Sequence, residues 1–289
     1  DCVSSMDGGG LYLSSSTVTI DRSVIKNNAG IGTHCNGGGI YAANTNLTIT
    51  NSQVSNNTAS HSGGGVFVSN DAATSFSMTS SLVNDNFSIT EAGGLFFVSG
   101  LSASVSNSTI SGNHTNGYAG GIDTRIPTTL RHITIVNNIA NENADSYGNA
   151  GGVLFYQQDA IATIQNSIIA NNLDVGNANY NDCYIYGPAS LTSQGYNLLE
   201  TPGNCVLTSP GDITRQDPLL GPLQNNGGQS WTHALLPDSP AINAGDPAFA
   251  PPPASDQRGT GYPRVQDGRL DMGAYEARYT NIFLPILRK

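Results

Sequence analysis

Apolar and polar residues alternate along short stretches of this chain, as in Val18-Thr19-Ile20 and Leu47-Thr48-Ile49. A period of two is the signature of a strand with one face toward a core, so Val18, Ile20, Leu47 and Ile49 are expected to point inward and the threonines outward. The stretches recur on a longer period. A Gly pair followed by apolar residues appears as Gly9-Gly10-Leu11-Tyr12, Gly38-Gly39-Ile40-Tyr41, Gly64-Gly65-Val66-Phe67, Gly93-Gly94-Leu95-Phe96, Gly120-Gly121-Ile122 and Gly151-Gly152-Val153-Leu154. Successive second glycines stand 29, 26, 29, 27 and 31 residues apart. A second motif keeps the same phase and closes on Asn28, Asn57, Asn86, Asn113, Asn138 and Asn172. Two registers held together six times define stacked repeats.

The pattern predicts an all-β fold, a right-handed parallel β-helix (solenoid) of about 28 residues per coil, with handedness set by the bias of parallel crossover connections. Rungs ~4.8 Å apart make six coils a stack of roughly 29 Å. Each Gly pair is expected where the backbone turns sharply or takes positive φ. The closing asparagines are expected to form a ladder, amide bonding to amide from coil to coil. A row of Ser23, Ser52, Ser81, Ser108 and Ser167 gives way to Ile133 in the fifth coil, which marks that row as structural: a catalytic or ligating series does not tolerate Ile.

After Asn172 the period loosens. Residues 1–207 read as the β-helix coils, 208–281 as a turn-rich cap and 282–289 as an apolar terminal strand. Asp217-Pro218, Asn226-Gly227-Gly228, Pro237-Asp238-Ser239-Pro240 and Pro251-Pro252-Pro253 are turn signals. They suit a cap over the open core, since the last coil of a solenoid otherwise exposes strand edges and apolar surface.

The segments Ser193-Gln194-Gly195-Tyr196-Asn197-Leu198, Asp217 through Gly228, Thr232-His233-Ala234-Leu235, Ser239 through Asp246, Asp256-Gln257-Arg258-Gly259 and Asp271-Met272-Gly273-Ala274-Tyr275-Glu276 carry a family likeness. Over roughly residues 193–276 the chain resembles bacterial secreted β-helix proteins of the choice-of-anchor Q type. That resemblance implies a right-handed β-helix exposed at a cell surface or released from it, often followed by a variable attachment signal, and it implies no catalytic motif. The end of the chain departs from such signals: Ile282-Phe283-Leu284-Pro285-Ile286-Leu287-Arg288-Lys289 is neither a spanning helix nor an LPxTG-like sorting motif.

Composition narrows the function classes. Only 11% of the residues are charged, and Lys plus Arg number 11 against 21 Asp plus Glu, a net charge of -10. Nucleic acid needs a basic footprint and is not an expected partner. No apolar run reaches the length of a spanning helix. No signal peptide precedes the repeats, and Asp1 and Cys2 stand so close to the first motif that the chain reads as a mature or trimmed product. Of the four cysteines, Cys2 with Cys35 and Cys183 with Cys205 are each separated by about one coil, so these pairings are favoured among three connectivities; four buried free thiols are the alternative. Disulfides would place the protein in a secreted, extracellular or cell-surface setting.

Candidate chemistry is sparse. Asp246, Asp256, Arg258, Arg264, Asp271 and Glu276 are the densest charged set and read as Arg-carboxylate fastenings within the cap rather than as a Ca²⁺ or acid/base site. The calcium-binding repeat G-G-x-G-x-D is absent, the five histidines are dispersed with only His34 and His61 placed to meet across coils, and neither a metal nor a cofactor is expected. Tyr118, Tyr147 and Tyr180 fall in the longer loops of three successive coils, where rings stack on sugar faces or on their own coil. Asp123 with Arg125 faces outward from the fifth coil near Glu142 and Asp145, the one place suited to a polysaccharide lyase or glycoside hydrolase on the lateral face. Ile282, Phe283, Leu284, Ile286 and Leu287 are too apolar for a solvated tail; they are expected to cover their own core or to add to a neighbouring molecule's edge, giving a homo-oligomer or fibre. The leading expectation is a non-catalytic structural or adhesive solenoid at a bacterial surface that binds glycans or assembles into fibres, with the lyase or hydrolase as the alternative.

Overall fold

A computed structural model describes residues 2–71, 73–144, 148–157, 159–176, 181–266 and 268–278. Asp145, Tyr147, Tyr180, Ile282, Phe283, Leu284, Ile286 and Leu287 lie outside these described residues.

Each repeat folds into four short strands that join four different sheets. The level that begins with Thr58–Ala59 continues through Val66–Ser69, Ser75–Thr79 and Leu82–Asn84 before the next begins at Phe87–Ser88. In this order the strands belong to a first, second, third and fourth sheet, of seven, seven, seven and eight parallel strands. The chain is therefore a parallel β-solenoid, as the repeat predicted. Among the described residues no helix is long and apolar enough to cross a membrane.

Alternation in each strand divides it between core and exterior. In the third sheet Leu47 and Ile49 pair with Phe76 and Met78, and these with Ala103 and Val105, all buried in one continuous core with Ile40, Val66, Leu95 and Ile122 of the second sheet and Val54, Val83, Ile110 and Ile135 of the fourth. Outward neighbours on the third sheet are Thr48, Ser77, Ser104 and Thr129 in register.

Three rows hold the corners. Each ladder asparagine is buried, and from Asn57 onward each takes two hydrogen bonds on its Oδ1 from the rung before: Asn57 N and Nδ2 donate to Asn86 Oδ1 at 3.0 and 2.9 Å, and Asn86 N and Nδ2 to Asn113 Oδ1 at 3.1 and 2.8 Å. The ladder runs from Asn28 to Asn172 and ends on a carboxylate, Asp182, whose Oδ1 accepts from Asn172 N and Nδ2. The serine row is equally regular, Ser23 N donating to Ser52 Oγ and Ser52 N to Ser81 Oγ, both at 3.1 Å. Each Gly pair sits at a bend, the first of the two expected alternatives, but not at positive φ. Positive φ falls one residue earlier, at Gly8, Gly37, Gly63, Ala92, Ala119 and Ala150, whereas the pair itself is fixed by close approach: a Cβ on Gly38 would lie 2.4 Å from Thr58 C and 2.6 Å from Gly64 O on the next coil.

The C-terminal third also departs from expectation. The last level is closed by Ile213–Thr214, which pairs with Leu198–Leu199, and by the Cys183–Cys205 disulfide, Cα–Cα 5.9 Å, with Leu207 in the core. The described turn-rich residues beyond, as far as Ala277, lie along the outer face of the fourth sheet. There Val136, Ile168, Ala170 and Leu198 point outward and pack under Leu235, Ala241, Met272 and Ala277. Polar clamps fix the layer: Thr109 Oγ1 donates to Gln257 Oε1 at 2.6 Å, Asn107 Nδ2 to Ser255 O at 3.2 Å, and Gly273 N to Asn166 O at 2.9 Å. The reason is apolar demand. A strand such as Ile168-Ile169-Ala170 is apolar on both faces, so its exterior must be buried as well as its interior.

All of the charged set but the half-buried Asp246 is buried within this layer. Arg258 Nε and Nη2 grip Asp256, Arg264 Nη2 donates to Asp271 O at 2.9 Å, and Glu276 Oε2 accepts from Asp271 N. The predicted Cys2–Cys35 disulfide is not formed. Cys2 is an exposed thiol and Cys35 a buried one whose Sγ accepts from Gly32 N. One coil of sequence separation favoured the pairing, but Cys35 is buried with its Sγ on Gly32 N while Cys2 stays at the surface.

Candidate functional site

The outer face of the second sheet carries one residue per level in strict register: Tyr12, Tyr41, Phe67, Phe96, Asp123, Leu154 and Tyr184. The first four form an aromatic stack, with centroids 5.1 to 5.3 Å apart and the Tyr12–Tyr41 and Tyr41–Phe67 rings nearly parallel. Asp123 interrupts it. The parallel pairing of Ile122-Asp123-Thr124 with Leu95-Phe96-Phe97 places a carboxylate between Phe96 below and Leu154 above.

Two residues further along each strand is a second row, in which Tyr156 pairs with Tyr186. Their rings stack at 4.8 Å with an angle of 5°. Arg125 follows the strand Ile122–Thr124 of the level below and lies 4.7 Å from the Phe96 ring and 4.9 Å from the Tyr156 ring. From there its Nη2 reaches Glu91 Oε1 at 2.5 Å and stands 3.6 Å from Asp123 Oδ2, an attraction too long for a hydrogen bond.

These residues enclose a cleft of about 140 Å³. Glu91, Asp123, Arg125 and Asn149 form its polar end, and Tyr118, Leu154, Tyr156 and Tyr186 its apolar wall. On the far side of the same tyrosine pair a shallower concavity of about 360 Å³ is lined by Asp159, Gly187 and Pro188. The stacked rings thus form a ridge with space on both sides, and Tyr186 is 47% exposed.

Asp123 is fully buried, and burial pushes its carboxyl up to about 7, helped by the Glu91 charge and opposed by Arg125. Neither Asp123 oxygen has a hydrogen-bond partner, nor has Arg125 Nε. Such orphaned groups are rare in folded proteins, and a polar group or ion from outside is one of the things that completes them.

Of the residues singled out from sequence, Asp123, Arg125 and Tyr118 line this cleft, and Tyr118 also packs beside Ala119 and Leu154. Glu142 does not line it. It faces the first sheet, where its Oε2 lies 2.7 Å from His114 Nδ1, so the grouping of Asp123 with Glu142 is not formed. Glu91, Asn149, Tyr156 and Tyr186 were not foreseen. The signal for the tyrosines was present, since Val153-Leu154-Phe155-Tyr156 and Cys183-Tyr184-Ile185-Tyr186 align residue by residue. His34 and His61 do meet, at 5.3 Å, yet among the described residues no group of three His, Cys, Asp or Glu is arranged to hold a metal ion.

A second groove, of about 470 Å³, runs between the third sheet and residues 246–253, with Thr79, Ser106 and Arg131 on its floor and Phe249 and Pro252 on its wall. None of its lining side chains holds a buried polar atom without a partner, Gln165 Nε2 donates to Asp246 Oδ2, Arg131 Nη2 donates to Gln194 Oε1, and Phe249 packs edge-on to His132. Unmet hydrogen bonding therefore favours the tyrosine cleft.

The fold and site together define a parallel β-solenoid with a lateral aromatic cleft. Comparison of the chain with protein-family profiles, with curated proteins and with solved structures returned no match.

Proposed function

We propose that the protein is an extracellular, non-catalytic β-solenoid displayed at a bacterial surface, which holds a glycan chain across the Tyr156–Tyr186 ridge. The observation that carries the reading is this ridge: two parallel rings, one half exposed, with concavities on both sides and hydrogen-bonding groups at one end. Sugar rings present an apolar face to aromatics and hydroxyls to polar neighbours, which is the pairing such a cleft supplies. Binding without cleavage is favoured by the state of the carboxylates. Arg125 holds Glu91, the more exposed of the two carboxylates, in a short ion pair, so Glu91 does not stand free to attack or protonate a glycosidic bond. The resemblance over residues 193–276 supports surface display, and the Cys183–Cys205 disulfide supports an oxidising setting.

Screening immobilised glycans, followed by calorimetry on Tyr156→Ala and Tyr186→Ala, tests the proposal. Each substitution is expected to weaken binding by roughly tenfold, about 1.4 kcal/mol. Absence of binding to any glycan overturns it, and turnover of a bound glycan replaces it with the lyase or hydrolase reading.

A further inference from the structure

The polar end of the cleft lacks two things of opposite kind. Asp123 has two buried oxygens without a donor, and Arg125 has a buried Nε–H without an acceptor. The two groups are adjacent, their closest charged atoms 3.6 Å apart. A ligand that completes both must carry a donor and an acceptor on neighbouring atoms. Charge then selects among such ligands. Two carboxylates, Asp123 and Glu91, face one guanidinium, so a uronate, sialate or phosphate is repelled and a cation is drawn in. The Tyr156 and Tyr186 faces act the same way, since aromatic quadrupoles attract cations.

Resting on the glycan reading of this cleft, we propose that its ligand is an amino sugar bearing a free amine. The ammonium of a 2-amino-2-deoxyhexose enters against Asp123, the adjacent ring hydroxyl accepts from Arg125 Nε, and the ring lies on the tyrosine pair. N-acetylation removes the charge and adds a group that a cleft of about 140 Å³ has little room for.

Calorimetry with a glucosamine hexamer, an N-acetylglucosamine hexamer, a glucose hexamer and a glucuronate oligomer at pH 7.5 and low salt tests this. The glucosamine hexamer is expected to bind at least tenfold tighter than the other three. That preference is expected to collapse in Asp123→Asn, which keeps the side-chain shape, and to fall several-fold in Glu91→Gln, with both variants folded by circular dichroism. Equal affinity for amine and acetamide, or a preference that survives Asp123→Asn, overturns the amino-sugar assignment. If another glycan binds in a tyrosine-dependent way while the glucosamine hexamer does not, this assignment falls and the glycan reading stands; if no glycan binds, both fall.

Discussion

Replacing Asn86 by Ala removes one rung from the ladder that runs up the solenoid. Asn86 is fully buried, and its side chain makes four hydrogen bonds: Oδ1 accepts from Asn57 N and Nδ2, and Nδ2 donates to Val54 O and Asn113 Oδ1. Asn113 Oδ1 keeps a donor after substitution, because Asn86 N still points at it, and Asn57 Nδ2 keeps Ile25 O. What is stranded is Asn57 N and one hydrogen of Asn57 Nδ2. At roughly 1–3 kcal/mol for each buried unsatisfied donor, the cost is about 4 kcal/mol, at the upper end for a single substitution. Asn28→Ala is the internal control. Its Oδ1 serves only Cys2 N on an exposed segment, so its loss should cost about 1 kcal/mol. Guanidinium unfolding followed by far-ultraviolet circular dichroism gives the difference, and hydrogen exchange locates it: in a stack held by nearest-neighbour contacts, amides of residues 53–57 should lose protection before those of residues 105–113. A cost below 1 kcal/mol for Asn86→Ala, or equal costs for Asn86 and Asn28, would refute the ladder as a source of stability.

Further outcomes follow from the same geometry. Asp123 carries a folded-state pKa of about 7 against 3.8 for the ordinary group, so its contribution is intact below pH 4 and is lost as pH rises through 7. The full shift corresponds to at most about 4 kcal/mol, and the gap between urea midpoints at pH 5 and pH 8.5 should narrow in Asp123→Asn; an unchanged gap refutes the assignment. Asp182 and Glu276, pushed by burial up to about 7 and about 8, act with the same sign, so the wild-type protein should be more resistant to urea at pH 5 than at pH 8.5. Thiol titration should find one reactive cysteine, Cys2, in the folded protein and two after denaturation without reductant; zero would restore the Cys2–Cys35 bond. Cys205→Ser, which opens a link between residues 22 apart, should cost about 3 kcal/mol. Light scattering of protein ending at Arg278 tests whether Ile282 to Leu287 drive fibre assembly, and an unchanged assembly state removes that role.

The solenoid was legible because its determinants repeat. Ladder asparagines, corner serines and Gly pairs each do one local job on every level, so their phase could be read without knowing any contact. What resisted reading were features that occur once. Nothing in the spacing of Cys2 and Cys35 reveals that one thiol is exposed and the other buried. The lateral layer was read as an end cap because turn-rich composition tells only that a segment folds irregularly, not which surface needs it. The clue lay in the strands: Gln53-Val54-Ser55 alternates, whereas Ile168-Ile169-Ala170 does not, and only the latter requires a cover on its outer face.

The same logic explains why the cleft sits where it does. Inward positions are constrained on every level by the shared core, so a solenoid can vary freely only outside it, and a departure from an outward row is informative in proportion to the row's regularity. In a row of seven registered positions occupied otherwise by Tyr, Phe and Leu, Asp123 is the one charged residue. An aromatic there would continue the stack from Phe96 and spare the desolvation that lifts the carboxyl to about 7. Stability alone therefore selects against Asp123, and Arg125, held between Phe96 and Tyr156, compensates it only at 3.6 Å. A buried charge kept at such a cost, beside unmet donors and a tyrosine ridge, is best explained by a group that arrives from outside.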